Sequence, residues 1–117
     1  MSVLERLLAR WLGPRAPSVS VEEAYERYHG DGQALFVDVR QPVEHDSGAI
    51  AGAALVPLTE LGRRLPALPR DRRILTICRS GHRSPIAARR LRKAGFDVLN
   101  VAGGMDAWRS AGLPLEK

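Results

Sequence analysis

Seven consecutive residues hold the side chains best placed to act together chemically: Cys78-Arg79-Ser80-Gly81-His82-Arg83-Ser84. Cys78 is the single cysteine of the chain, so an intramolecular disulfide is excluded and its chemistry is that of a thiol or thiolate. Arg79 and Arg83 bring positive charge, and Ser80, His82 and Ser84 offer side-chain donors to an incoming anion. Gly81 allows a tight turn in which successive backbone N–H groups point inward as a nest. A helix beginning directly afterwards adds its free N–H groups and the positive end of its dipole. Cysteines in such fields fall from a pKa of about 8.5 to roughly 3.5–7.5. The segment therefore predicts a nucleophilic thiolate at the mouth of an anion-binding loop. A cysteine that closes an apolar strand is commonly just a small buried hydrophobe, but such a residue has no use for the cationic, glycine-containing run that follows. His82 is read as a solvated loop donor rather than a general acid.

The loop needs a strand before it and a helix after it, and the sequence supplies both. Ile74 to Cys78 (I-L-T-I-C) is a short apolar run of the kind that forms a strand buried on both faces. Ser84 as N-cap, Pro85 at the first helical position, Ala87, Ala88, Leu91 and Ala94 on one face and Gly95 as terminator predict the helix. Further strands are expected at Ala34–Val39 and Asp97–Val101, with shorter ones at Val19 and at Ala53–Val56. Helices are expected at Val21–Tyr28, opened by Ser20 with Glu23 three residues on, at Leu58–Leu65 and at Asp106–Ala111. Strands alternating with helices predict an α/β domain around a mostly parallel sheet of about five strands. Ligands of such sheets bind just outside the carboxyl ends of the strands, where Cys78 falls.

A chain of 117 residues with 44% hydrophobic and 26% charged residues suits one globular core. The formal charge of +5 is almost all arginine, since Lys93 and Lys117 are the only lysines. That surface favours anionic ligands. With two Trp, two Tyr and two Phe it lacks the interleaved aromatics of a base-stacking surface, so no specific nucleic acid is expected. There is no apolar stretch long enough to span a bilayer and no secretory leader pattern, so a reducing, cytoplasmic setting is expected. Before Ser18, residues Val3, Leu4, Leu7, Leu8, Trp11 and Leu12 recur at helical spacing, Gly13-Pro14 stops the run, and Arg15-Ala16-Pro17 reads as a linker. Residues 1–17 are thus expected to be an amphipathic appendage to a domain over 18–117. The leading expectation is that this helix folds back so that its apolar face is covered.

The loop C-x-x-G-x-R-S after an apolar strand resembles the active-site loop of the rhodanese-like sulfurtransferases. Asp38-Val39-Arg40, then Glu44, Gly48, Ile50, Gly52 and Ala53, resemble further segments of that family, as do Gly103-Gly104-Met105, Ala107-Trp108 and Gly112-Leu113-Pro114 near the end. The likeness runs in order from about Ser18 to Pro114, departing at Ala49, where many members carry histidine. It implies a three-layer α/β/α fold and a persulfide cycle. In that cycle Cys78 takes the outer sulfur of an anionic donor such as thiosulfate and passes it to an external thiol or cyanide. The acceptor has to be external because no second cysteine is present to resolve the persulfide.

In this reading Arg79, Ser80, Gly81, His82 and Arg83 form the substrate loop, and Asp38, Arg40, Glu44 and Ser84 support it. The spacing of Asp38, Arg40 and Glu44 around a strand end suits a salt-bridge and hydrogen-bond network better than acid-base catalysis. Trp108 is expected to fill the core. No metal ligand is assigned and no cofactor is called for. The alternative is a sulfur carrier or interaction module loaded by a partner protein. Less favoured is a phosphatase or arsenate reductase, whose resembling loops usually read C-x5-R against the C-x4-R found here.

Overall fold

The computed structural model describes residues 2–116. Five strands form one sheet in the order β1-β5-β4-β2-β3: β1 is Ser18–Val19, β2 Ala34–Asp38, β3 Ala54–Leu55, β4 Arg73–Ile77 and β5 Val98–Val101. All four strand pairings are parallel. β4 lies at the centre, in register with β2 from Ala34↔Arg73 to Asp38↔Ile77. Its side chains alternate, as a strand buried on both faces requires. Leu75 and Ile77 join one cluster with α2 (Val21–Tyr28) and α6 (Gly104–Ser110), while Ile74 and the adjoining Cys78 join another with α4 (Leu61–Arg64) and α5 (Ser84–Lys93). The result is the three-layer arrangement that the family resemblance implies, around the parallel sheet expected from the strand pattern.

Local signals explain most of the element ends. Ser20 Oγ accepts the N–H of Glu23 at 3.1 Å, closing the first turn of α2. The segment expected as one helix over Leu58–Leu65 is broken into a 3-10 turn at Leu58–Glu60, α4, and a second 3-10 turn at Leu65–Ala67. Pro66 inside it cannot donate to a helical ladder. α6 begins at Gly104, two residues before the expected start at Asp106. α3 (Pro42–Asp46) was not foreseen: five residues are too few for a periodic pattern, although Pro42 at its first position and Glu44 at its third are start signals.

α1 (Val3–Leu12) stands outside the three layers and meets the domain at α5. Gly13, which ends it, has a φ of +93°, and a Cβ there would lie 2.1 Å from the carbonyl oxygen of Arg89. Only glycine can make that approach. The expectation that the apolar face of α1 is covered does not hold: none of its residues is buried. The helix is anchored by polar contacts at its C-terminal end instead, and these take up little of the stripe. No helix among the described residues is long and apolar enough to cross a membrane.

Candidate active site

Chain order reverses between β2 and β4. From β2 the chain continues to β3 on one side, and from β4 to β5 on the other. The loops leaving β2 and β4 therefore border one crevice at the carboxyl edge of the sheet, where α/β proteins place their ligands. The β4 loop carries Cys78 to Arg83, and the β2 loop runs into α3 with Glu44.

Cys78 Sγ is the centre of the β4 loop. The backbone N–H groups of Gly81 and Ser84 point to it at 3.2 and 3.3 Å, and Ser84 Oγ lies 3.4 Å away. Burial pushes the thiol pKa up. The Ser84 hydroxyl and the N–H groups of Ser84, Gly81 and Arg83 pull it down more strongly, so the pKa stands below its ordinary value. This is the nest expected from the sequence, with one change of role. Ser84 is the first residue of α5 and Arg83 stands at the N-cap position, so the Ser84 hydroxyl serves the sulfur rather than the helix end. Cys78 also exposes none of its surface. It sits at the base of the loop rather than at its mouth, enclosed by the ring of residues 79–83.

The ring is fixed from behind by α6. Met105 and Asp106 donate their N–H groups to the carbonyls of Cys78 and Arg79 at 2.7 and 2.9 Å. This brings Gly104, at φ +61°, so close that a Cβ on it would lie 2.4 Å from the Cys78 carbonyl oxygen. Only a residue without a Cβ fits there, which accounts for the Gly103-Gly104 pair singled out in the sequence. Trp108 is fully buried one turn later and donates from Nε1 to the Pro114 carbonyl at 2.9 Å. It fills the core, as expected.

Two arginine–carboxylate forks border the site. Arg40 grips Asp38 through Nε–Oδ1 at 2.9 Å and Nη2–Oδ2 at 2.7 Å, with both side chains 1% exposed. Arg40 also donates to the carbonyls of Glu44 and Gly48 at 3.1 and 2.9 Å, so it shapes the whole β2–α3 turn. Asp38 and Arg40 bond to each other and to backbone carbonyls of the segment that follows β2. The second fork was not foreseen: Arg83 Nη1 and Nη2 bind Glu44 Oε1 and Oε2 at 2.6 and 2.7 Å across the crevice. Arg83 first, the Gln41 N–H and Arg40 next, hold the Glu44 carboxyl down to about 2 against the opposing effect of burial. Although the loop itself contains no carboxylate, α3 brings one to it and neutralises one of its two cations.

The remaining loop residues face outward. Arg79 is exposed, with its Nε 3.9 Å from Asp106 Oδ1, and Ser80 Oγ lies 2.8 Å from His82 Nδ1. The Ser80–His82 contact is exposed and does not reach Cys78 Sγ, in keeping with reading His82 as a solvated group.

Taken together, these elements make a parallel α/β sheet whose central strand ends in a cysteine held in a nest of N–H groups. Residues 20–111 match the family of the Rhodanese-like domain, and the chain belongs to that family. It is 36% identical to a protein named sulfurtransferase from Allochromatium vinosum over 83% of this chain and 92% of that one. It is 37% identical to the putative sulfur carrier protein YrkF of Bacillus subtilis over 79% of this chain, and the match spans half of that relative's length. The rhodanese-related protein from Thermoplasma volcanium superposes with a TM-score of 0.80 at 31% identity, covering 86% of this chain and 97% of that one.

Proposed function

We propose that the chain is a sulfurtransferase in which Cys78 is the nucleophile. The observation that carries this reading is the convergence of the Gly81 and Ser84 N–H groups and the Ser84 hydroxyl on Cys78 Sγ. They lower its pKa and so raise the thiolate fraction at neutral pH. The thiolate attacks the outer sulfur of thiosulfate, the S–S bond to the sulfonate breaks, and sulfite leaves with the electron pair. Cys78 then carries one extra sulfur as a persulfide. An external thiolate or cyanide attacks that outer sulfur and releases the Cys78 thiolate unchanged. Loop N–H groups aimed at the sulfur stabilise negative charge as it develops there. Arg79 attracts the anionic donor, and Arg83, locked to Glu44, shapes the rim. A thiolate used in this way fits a reducing, cytoplasmic setting.

The test is intact-mass measurement after exposure to thiosulfate. The wild-type protein gains one sulfur that reductant removes, and Cys78→Ser gains none. Thiocyanate formation from thiosulfate and cyanide falls at least about 10³-fold in the same variant. An unchanged rate in Cys78→Ser would refute the reading.

A second reading, a sulfur carrier loaded by a partner protein, is favoured by one observation: Cys78 exposes no surface, so a docked protein that opens the ring would deliver sulfur better than a free ion. It predicts a persulfide on Cys78 after incubation with a protein persulfide donor, with negligible turnover on thiosulfate alone.

A further inference from the structure

Among the described residues, every exposed large hydrophobic side chain except Val43 and Ile86 lies on α1. Leu8 and Ala9 turn towards the domain and are partly covered. Val3, Leu4, Leu7 and Trp11 form a stripe on the outer side and are 66%, 63%, 48% and 76% exposed. The helix is nevertheless held in place. The Gly13 carbonyl accepts from Arg89 Nε at 3.1 Å, the Trp11 carbonyl from Lys93 Nζ at 2.8 Å, and the Arg15 carbonyl from Arg92. An isolated helix of ten residues is marginal in water, and this one is tethered through backbone carbonyls while Val3, Leu4, Leu7 and Trp11 stay exposed.

The surroundings of the stripe are cationic. Arg6 and Arg10 lie along one flank of the same helix, and α5 adds Arg89, Arg90, Arg92 and Lys93. Glu5 is the one acidic residue in the two helices, and it is taken by Arg15 at 2.8 Å. A groove of about 450 Å³ continues the apolar surface from Leu12 past Ala16 to Pro85 and Ile86. Arg89 lines it with Nη2 buried and without a hydrogen-bond partner. Apolar side chains flanked by arginines, with a tryptophan among them, match the acyl chains and phosphates of an anionic bilayer surface. A second copy of the chain would set the same cations against themselves and is disfavoured by like-charge repulsion.

We propose that the α1–α5 face binds anionic lipid surfaces peripherally. α1 lies in the plane of the interface with Val3, Leu4, Leu7 and Trp11 among the headgroups and upper acyl chains, and the exposed Arg6, Arg10 and Arg90 contact phosphates. Residues 1–17 then serve as a membrane-contacting appendage, and sulfur transfer on the carboxyl edge of the sheet takes place beside the bilayer. Lipid binding does not involve Cys78, so it stands or falls independently of the catalytic reading.

The experiment uses the full chain with vesicles of phosphatidylcholine and phosphatidylglycerol, compared with phosphatidylcholine alone. Sedimentation with the anionic vesicles is expected to be roughly tenfold stronger or more, since each basic residue near the surface adds attraction, and to weaken as salt is raised. The fluorescence of Trp11 should shift to the blue, while that of buried Trp108 stays constant. The double variant Leu4→Glu/Leu7→Glu, at positions exposed in the fold, should keep the wild-type unfolding transition and lose vesicle binding. No binding to anionic vesicles, or equal binding by the double variant, would overturn the proposal. So would a dimer that shields Trp11 from acrylamide without lipid, or binding to an acidic amphipathic peptide with none to vesicles.

Discussion

The two arginine–carboxylate forks beside the site use the same chemistry in different surroundings. Asp38–Arg40 is closed within one strand end with side chains only 1% exposed, whereas Glu44–Arg83 spans the crevice with side chains that remain 24% and 32% exposed. Burial decides what each does. A buried ion pair contributes little net stability relative to apolar packing, but loss of one partner leaves an uncompensated charge. Asp38–Arg40 is therefore a rigid brace that sets the path of the β2–α3 turn. Glu44–Arg83 is screened by solvent and can be remade, so it acts as a clasp between α3 and the sulfur loop.

The sharpest way to break the contrast is Asp38→Asn. It strands the buried Arg40 guanidinium and should cost about 3–5 kcal/mol in urea unfolding, with activity lost through unfolding rather than through chemistry. Ser84→Ala acts on the loop instead. Removing a donor to the thiolate raises the Cys78 pKa, so the rate of persulfide formation, which rises with pH as the thiol ionises, should reach its midpoint at higher pH than in the wild type. At neutral pH that rate should fall roughly three- to tenfold, the value of one hydrogen bond, with less effect on unfolding than Asp38→Asn.

Glu44→Gln should have the smallest effect, about 1 kcal/mol of stability at pH 7. Because the Glu44 pKa is lowered on folding from 4.5 to about 2, its contribution is fully present above about pH 4.5 and is lost as pH falls towards 2. Acid titration of unfolding should therefore show wild type and Glu44→Gln converging over that interval. If the two forks proved equally costly to break, burial would not be what separates brace from clasp.

Much of the site was legible because its signals are local. The apolar run Ile74–Ile77, the glycine and arginines of 78–83, and Pro85 followed by Ala87, Ala88 and Leu91 each act within a few residues, and together they marked the strand, nest and helix. The Arg83–Glu44 clasp joins residues 39 apart in sequence, through a helix of five residues that shows no periodicity. No local pattern encodes that distance. The role of Ser84 was misjudged for a related reason: a serine before Pro85 has the composition of an N-cap, and only the loop's path turned its hydroxyl to Cys78. For α1, hydrophobic spacing specified a helix correctly, but spacing carries no information on what faces the stripe.

The sequence by itself determined a parallel α/β sheet and placed a cysteine in an N–H nest at the end of its central strand, because strand burial, turn chemistry and helix initiation are short-range effects. Tertiary structure decided how deep Cys78 lies, which carboxylate clasps which arginine and that the stripe of α1 stays open. Each of these depends on how separate elements pack, and their packing brings together residues that the chain keeps far apart.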